Sequence, residues 1–221
     1  MSIKRAVLEF PGDRPMIQAD PTHPEPSPIE AGSPSDYRQT LQPFRQGELD
    51  GLCGIYAIIN AVRWAAGPKV ISTAIVEELF WVLTQHAIKE QGNLSICTDG
   101  ILLPQLRQLM RVAFRYLKQE YAHRFTVAVI KGPDVVFEPT ERAPALEVLP
   151  NEAIILNLKS SVWHWSVFQG VQPGKLKLFD SARWRTLSLP RVSFMRSFRV
   201  TYLPEQSQEA NIAGVAAKSI L

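Results

Sequence analysis

Residues 53 to 66, CGIYAIINAVRWAA, are apolar nearly all the way round a helix. A surface helix keeps one polar face, so this segment belongs in an interior, packed against other elements. It is too short to cross a bilayer, as is every other apolar run in the chain. Gly54, Ala57 and Ala61 form a stripe of small residues that lets a neighbouring element approach closely. Gly67-Pro68 ends the helix. With 221 residues, the chain is long enough to bury such a helix in the core of one domain.

The rest of the sequence divides around this segment. From Pro11 to Asp36 there are seven prolines among small polar residues, which reads as an extended or disordered arm over residues 1 to 36. A domain is expected over 37 to 204 and a weakly patterned tail over 205 to 221. Two more helices are expected. One runs from Thr73 to Gln91, capped by Ser72 or Thr73 and stopped by Gly92; the other runs from about Leu103 to Tyr121, with Pro104 in its first turn. After that the period changes. RFTVAVIKG, AIILNLKS, HWSVFQGV, KLKLFDS and FRVTYL are short and rich in β-branched and aromatic residues. QPGK reads as the turn of a hairpin. Helices followed by an antiparallel sheet give an α+β fold.

Cys53 sits where the buried helix begins. A helix N-terminus carries unpaired N–H groups and a partial positive charge, which stabilise a thiolate and offer donors to a developing oxyanion. Gly54, next in sequence, keeps side-chain bulk away from an attacked carbonyl. A nucleophile needs a base and a group to orient it. Of the four histidines, His23 lies in the proline-rich arm, His86 inside a helix and His123 in a turn. His164 starts a strand between Trp163 and Trp165, and the next strand of the hairpin ends in Phe179-Asp180-Ser181. Asp180 is therefore the candidate acceptor for the second N–H of His164. Gln46, in the loop before Cys53, offers an amide to an oxyanion.

The order Gln, Cys, His, Asp, carried by QGELDGLCG, HWSVF and LFDS, resembles the papain-like cysteine peptidase superfamily. LCGIYAIINAV followed by HW and a hydrophobic strand looks closest to C39-like bacterial peptidases, with features of Josephin-type deubiquitinases. The resemblance implies a helical half carrying the nucleophile helix, packed against an antiparallel sheet. It also implies roles: Cys53 attacks a carbonyl, His164 moves the proton, Asp180 orients His164 and Gln46 assists the oxyanion. No cofactor is implied. The reaction expected is cleavage of a peptide or isopeptide bond in a protein or peptide substrate. Glutamine deamidation and acyl transfer share the same acyl-enzyme and stay open.

Other residues have weaker signals. Trp163 and Trp165, with Trp184, are candidate walls of a substrate cleft, and Asp99 in SICTDG is a candidate on a substrate loop. Cys97 in that stretch reads as structural, and Asn60 as a polar core contact. No Cys or His pair has metal-ligand spacing, and no glycine-rich phosphate loop is present. Arg107, Arg111 and Arg115 recur every fourth residue on the third helix, a solvated face or a docking surface for an acidic partner. A non-enzymatic module that uses this stripe to hold nucleic acid or an acidic protein is the rival class; neither nucleic acid nor a membrane is the expected partner. The net charge of +3 demands no particular partner. Two cysteines and no cleavable leader pattern point to a cytoplasmic protein, or to one exported without a cleaved Sec signal peptide.

Overall fold

A computed structural model of the chain describes residues 34–46, 51–91, 100–130, 148–159, 163–188, 193–194 and 197–204. The expected arm up to residue 33 and the tail from 205 lie outside them. Among the described residues four helices come first: α1 (Pro34–Thr40), α2 (Cys53–Ala66), α3 (Thr73–Gln91) and α4 (Leu103–Tyr121). Seven strands follow: β1 (Arg124–Ile130), β2 (Glu152–Lys159), β3 (Trp163–Gln172), β4 (Lys175–Phe179), β5 (Thr186–Ser188), β6 (Ser193–Phe194) and β7 (Ser197–Leu203). The fold is α+β.

The sheet is antiparallel in order β1-β7-β2-β3-β4-β5, with β6 pairing to the end of β2. Strand alternation divides its side chains between two cores. Ala153, Ile155, Trp165, Val167, Phe179 and Val200 face the helices. Ile154, Leu156, Leu158, Phe168, Leu176 and Leu178 form a second cluster. The β3–β4 hairpin turns at Pro173-Gly174, where Gly174 supplies the left-handed residue, φ 69°, that the turn requires.

Helix α2 is buried along its length, as its composition requires, between β2, β3 and β7 on one side and α3 and α4 on the other. Gly67 closes it at φ 86°, and its N–H donates to Arg63 O. Ser72 Oγ accepts from Ile75 N–H at the start of α3 (3.4 Å). Helix α1 packs on the far end of α2: Tyr37 Oη and Arg38 Nε both donate to Trp64 O. The segment after α1 is tied to α2 by Asn60. Its Oδ1 accepts from Phe44 N–H (2.6 Å) and its Nδ2 donates to Phe44 O (3.1 Å). Asn60 is thus the polar core contact expected of it. Among the described residues no helix is long and apolar enough to cross a membrane.

The small-residue stripe on α2 has a specific partner. A Cβ on Gly54 would lie 2.9 Å from Ile101 Cβ and 3.0 Å from Leu106 Cδ1. Gly54 is needed so that the chain entering α4 can lie against the first turn of α2. Gly54→Ala gains about 1 kcal/mol of helix propensity but overpacks this contact by about 1–3 kcal/mol. The expected outcome is a net loss of stability, read as a lower urea midpoint at unchanged slope. An unchanged or raised midpoint would mean that the contact yields freely.

Candidate active site

The end of β3 brings together residues from three parts of the chain. His164 is the second residue of β3 and is buried. It pairs across the sheet with Leu158, so its side chain lies on the face of the second core. Its Nε2 is 2.7 Å from Asp180 Oδ2, and both residues are buried. Asp180 follows directly after β4. Its other oxygen, Oδ1, accepts from the N–H groups of Ala182 (2.8 Å) and Trp184 (3.2 Å). One carboxylate therefore orients the imidazole and closes the turn that follows it.

Cys53 is buried at the first position of α2, close enough to His164 for the two groups to interact. With Nε2 held by Asp180, the ring nitrogen left for the thiol is Nδ1. Leu52, which precedes Cys53, makes no side-chain cap, so the N–H groups of the first turn are not consumed by one. Burial pushes the pKa of His164 down. The hydrogen bonds and negative charges of Asp180 and Cys53 outweigh that and hold it up at about 9.

Gln46 is fixed beside the same corner. Its backbone N–H donates to Ser181 O (3.2 Å), and its side-chain Oε1 accepts from Ser181 Oγ (3.4 Å). The Asn60 clasp on Phe44, two residues earlier, sets the path of this segment.

The aromatic residues are arranged differently from expectation. Trp165 does not line a cleft. Alternation along β3 turns it to the helix-facing core, where it is 4% exposed and its Nε1–H donates to Ile101 O (2.7 Å). The aromatic residue at the site is Trp184, half-buried, with its ring centroid 4.6 Å from that of His164. The side chain of Trp163, and Cys97 and Asp99 entirely, lie outside the described residues. Arg107, Arg111 and Arg115 are exposed on α4, with the Arg107 guanidinium over the ring of Phe198. His123 is engaged elsewhere, with Nε2 against Val70 O (3.1 Å). Among the described residues no cluster of His, Cys, Asp or Glu is arranged to hold a metal ion.

Chemically, the arrangement offers a thiol at a helix start, a base within its reach, a buried carboxylate that fixes the base, and amide donors nearby. No family model and no curated protein matches the chain. Among solved structures it is similar to the peptidase domain of Streptococcus ComA, a bi-functional ABC transporter involved in a quorum-sensing pathway. The TM-score is 0.39 and the identity 14%, over 73% of this chain and 97% of that one. The Josephin-like features find no support in these comparisons.

Folding raises the pKa of His164 from 6.5 to about 9. The stability gained from its protonation is present in full below pH 6.5 and lost as the pH rises through 9. NMR titration of the His164 ring should therefore give a midpoint near 9. Asp180→Asn removes the charge and should move that midpoint down and flatten the fall in stability over the same window. A wild-type ring that titrates at or below 6.5 would contradict the buried ion pair.

Proposed function

We propose that this protein is a cysteine hydrolase that cleaves a peptide or isopeptide bond through an acyl-enzyme on Cys53. The observation that carries the reading is the buried 2.7 Å bond between His164 Nε2 and Asp180 Oδ2, with the Cys53 thiol on the other side of the ring. A histidine packed only for structure has no need of a buried carboxylate on one nitrogen and a thiol on the other.

In this mechanism His164 Nδ1 takes the thiol proton, and the Cys53 sulfur attacks the substrate carbonyl carbon. The oxyanion that forms is met by the N–H of Cys53 and the amide of Gln46. Collapse breaks the C–N bond, and His164 returns its proton to the departing amine, leaving a thioester. Water then attacks the thioester while His164 accepts its proton. The C–S bond breaks, the thiol regains a proton and the carboxylic acid leaves. Asp180 keeps Nε2–H as a donor throughout, so that Nδ1 faces sulfur. The ring of Trp184 covers the imidazolium on a further side and favours its charged form.

The test has two parts. Alkylation of Cys53 by iodoacetamide should outpace that of a free thiol near neutral pH, and His164→Ala should restore the profile of an ordinary thiol. Mass spectrometry of a proteome incubated with wild-type protein should find new chain termini that are absent with Cys53→Ala. Deamidated glutamines or cross-links in their place would reassign the second half of the reaction. A wild-type profile like that of a free thiol, indifferent to His164→Ala, would leave a binding module and no hydrolase.

A further inference from the structure

A groove of about 600 Å³ opens beside the His164–Asp180 pair. One wall is the segment leading toward α2 and includes Arg45. The other is β4, with Lys177, and the loop after it, with Arg183, Trp184 and Arg185. Two of its lining residues, Asp180 and Trp184, also belong to the candidate active site. Whatever fills the groove therefore lies against the Asp180 and Trp184 side of the candidate site.

The charge in the groove is one-sided. Arg45, Lys177, Arg183 and Arg185 are all exposed, and none forms an ion pair among the described residues. Among the described residues the one carboxylate in the lining is Asp180, which is buried and committed to His164 and to two backbone N–H groups. Arg38, also at the groove, has a different use: it donates to the carbonyls of Trp64, Pro150 and Glu152 and holds α1 in place. Among the described residues the side chains of the other four have no such task. Cations gathered in one concavity repel each other and raise the local concentration of anions.

The loop that carries two of them is also held in a costly shape. Arg183 has φ 67°, a left-handed conformation that costs a residue with a Cβ about 1–2 kcal/mol. The N–H groups on either side of it, those of Ala182 and Trp184, are both pinned by Asp180 Oδ1. A strained, fixed loop that presents an arginine where glycine would fit more easily is a pre-organised one.

We propose that this groove docks acidic side chains of a protein substrate close to the scissile bond. Carboxylates suit it because guanidinium groups take them in paired, charge-assisted hydrogen bonds. Single-stranded nucleic acid suits it less. The groove's described tryptophan, Trp184, is half-buried with its ring against His164, which reduces the surface it offers to stacked bases. The assignment rests on the hydrolase reading for the words "scissile bond", and the binding itself can be tested without turnover.

The experiment uses the full chain carrying Cys53→Ala and a fluorescein-labelled hexaglutamate peptide, followed by anisotropy. Binding should occur and weaken as salt is raised. Arg183→Glu with Arg185→Glu should weaken it roughly tenfold, and Arg45→Gln with Lys177→Gln should weaken it in the same direction. Circular dichroism and melting of each variant separate lost binding from lost fold. Reversal of Arg107 and Arg111 on α4 should leave hexaglutamate binding as it was. Binding that ignores the groove variants, or that follows the α4 variants, overturns the proposal. So does tighter binding of a labelled oligouridylate of equal length. With active protein and a peptide library, acidic residues should be enriched beside the cleavage sites, and the enrichment should vanish in Arg183→Glu/Arg185→Glu. Absence of any cleavage together with groove-dependent hexaglutamate binding would sink the hydrolase and leave an acidic-peptide site standing.

Discussion

The all-round burial of α2 is the constraint on which the other elements depend. Twelve of its fourteen residues are buried, among them Ile55, Ile58 and Ile59. Each large apolar side chain withdrawn from water contributes about 1.5–3 kcal/mol. No single partner can cover a helix on every side. The sheet takes one flank, α3 and α4 take the other, and α1 closes the far end. A helix fixed along its whole length is also fixed at its first residue. Cys53 therefore holds its position against His164 without needing a restraint of its own. The one polar residue within the buried run, Asn60, spends its amide on the backbone of Phe44 and so carries the same rigidity to the segment bearing Gln46.

Asp180 is the second point on which much converges. A buried carboxylate is costly unless hydrogen bonds satisfy it. Here Oδ2 is met by His164 and Oδ1 by two backbone N–H groups. The turn those bonds enforce brings Trp184 onto His164 and presents Arg183 and Arg185 at the groove. The residue that sets the protonation of the base thus also sets the shape of the adjoining surface. Removal of its side chain would disturb both, whereas asparagine keeps the acceptor oxygen and loses only the charge.

Much of this was legible in the sequence. The bounds of α2, α3 and α4 agree with their punctuation at Gly67, Ser72 and Pro104, because those residues act locally. The alternating strands β1 to β4 and β7 were equally plain. The strands β5 and β6, three and two residues long, have too few positions to display a period. Helix α1 lies partly in the proline-rich stretch and is set by contacts with Trp64, 27 residues away from Tyr37. Cys53, His164 and Asp180 were readable because strand pairing and a helix start suffice to relate them. The use of Trp165 was not, nor was the partner of the small-residue stripe at Gly54, since both meet Ile101, which is distant in sequence and has no motif. Trp184 was readable only as a candidate cleft wall; its place against His164 follows from the turn that Asp180 closes. The meeting of Arg45 with Arg183 and Arg185 is a long-range product of the fold.

Alternation along β3 explains why the site needs that returning loop. Trp165 and Val167 point to the helices, so His164 and Phe168 point to the other face. There His164 lies beyond the cover that α2 provides, while the thiol it meets belongs to the helix-facing core. The site sits where the two cores meet, at the start of β3. One side of the ring is closed by Cys53 and the next by Asp180. The remaining face is left to a residue from outside the sheet, and Trp184 supplies it. A histidine exposed at this edge would be held near its ordinary pKa by water. Enclosure by the indole is burial, which alone would lower its pKa; the interactions with Asp180 and Cys53 outweigh it and raise the pKa. The ionisation on which the proposed chemistry depends thus rests on the Asp180 carboxylate, the same group that folds the loop back over the ring.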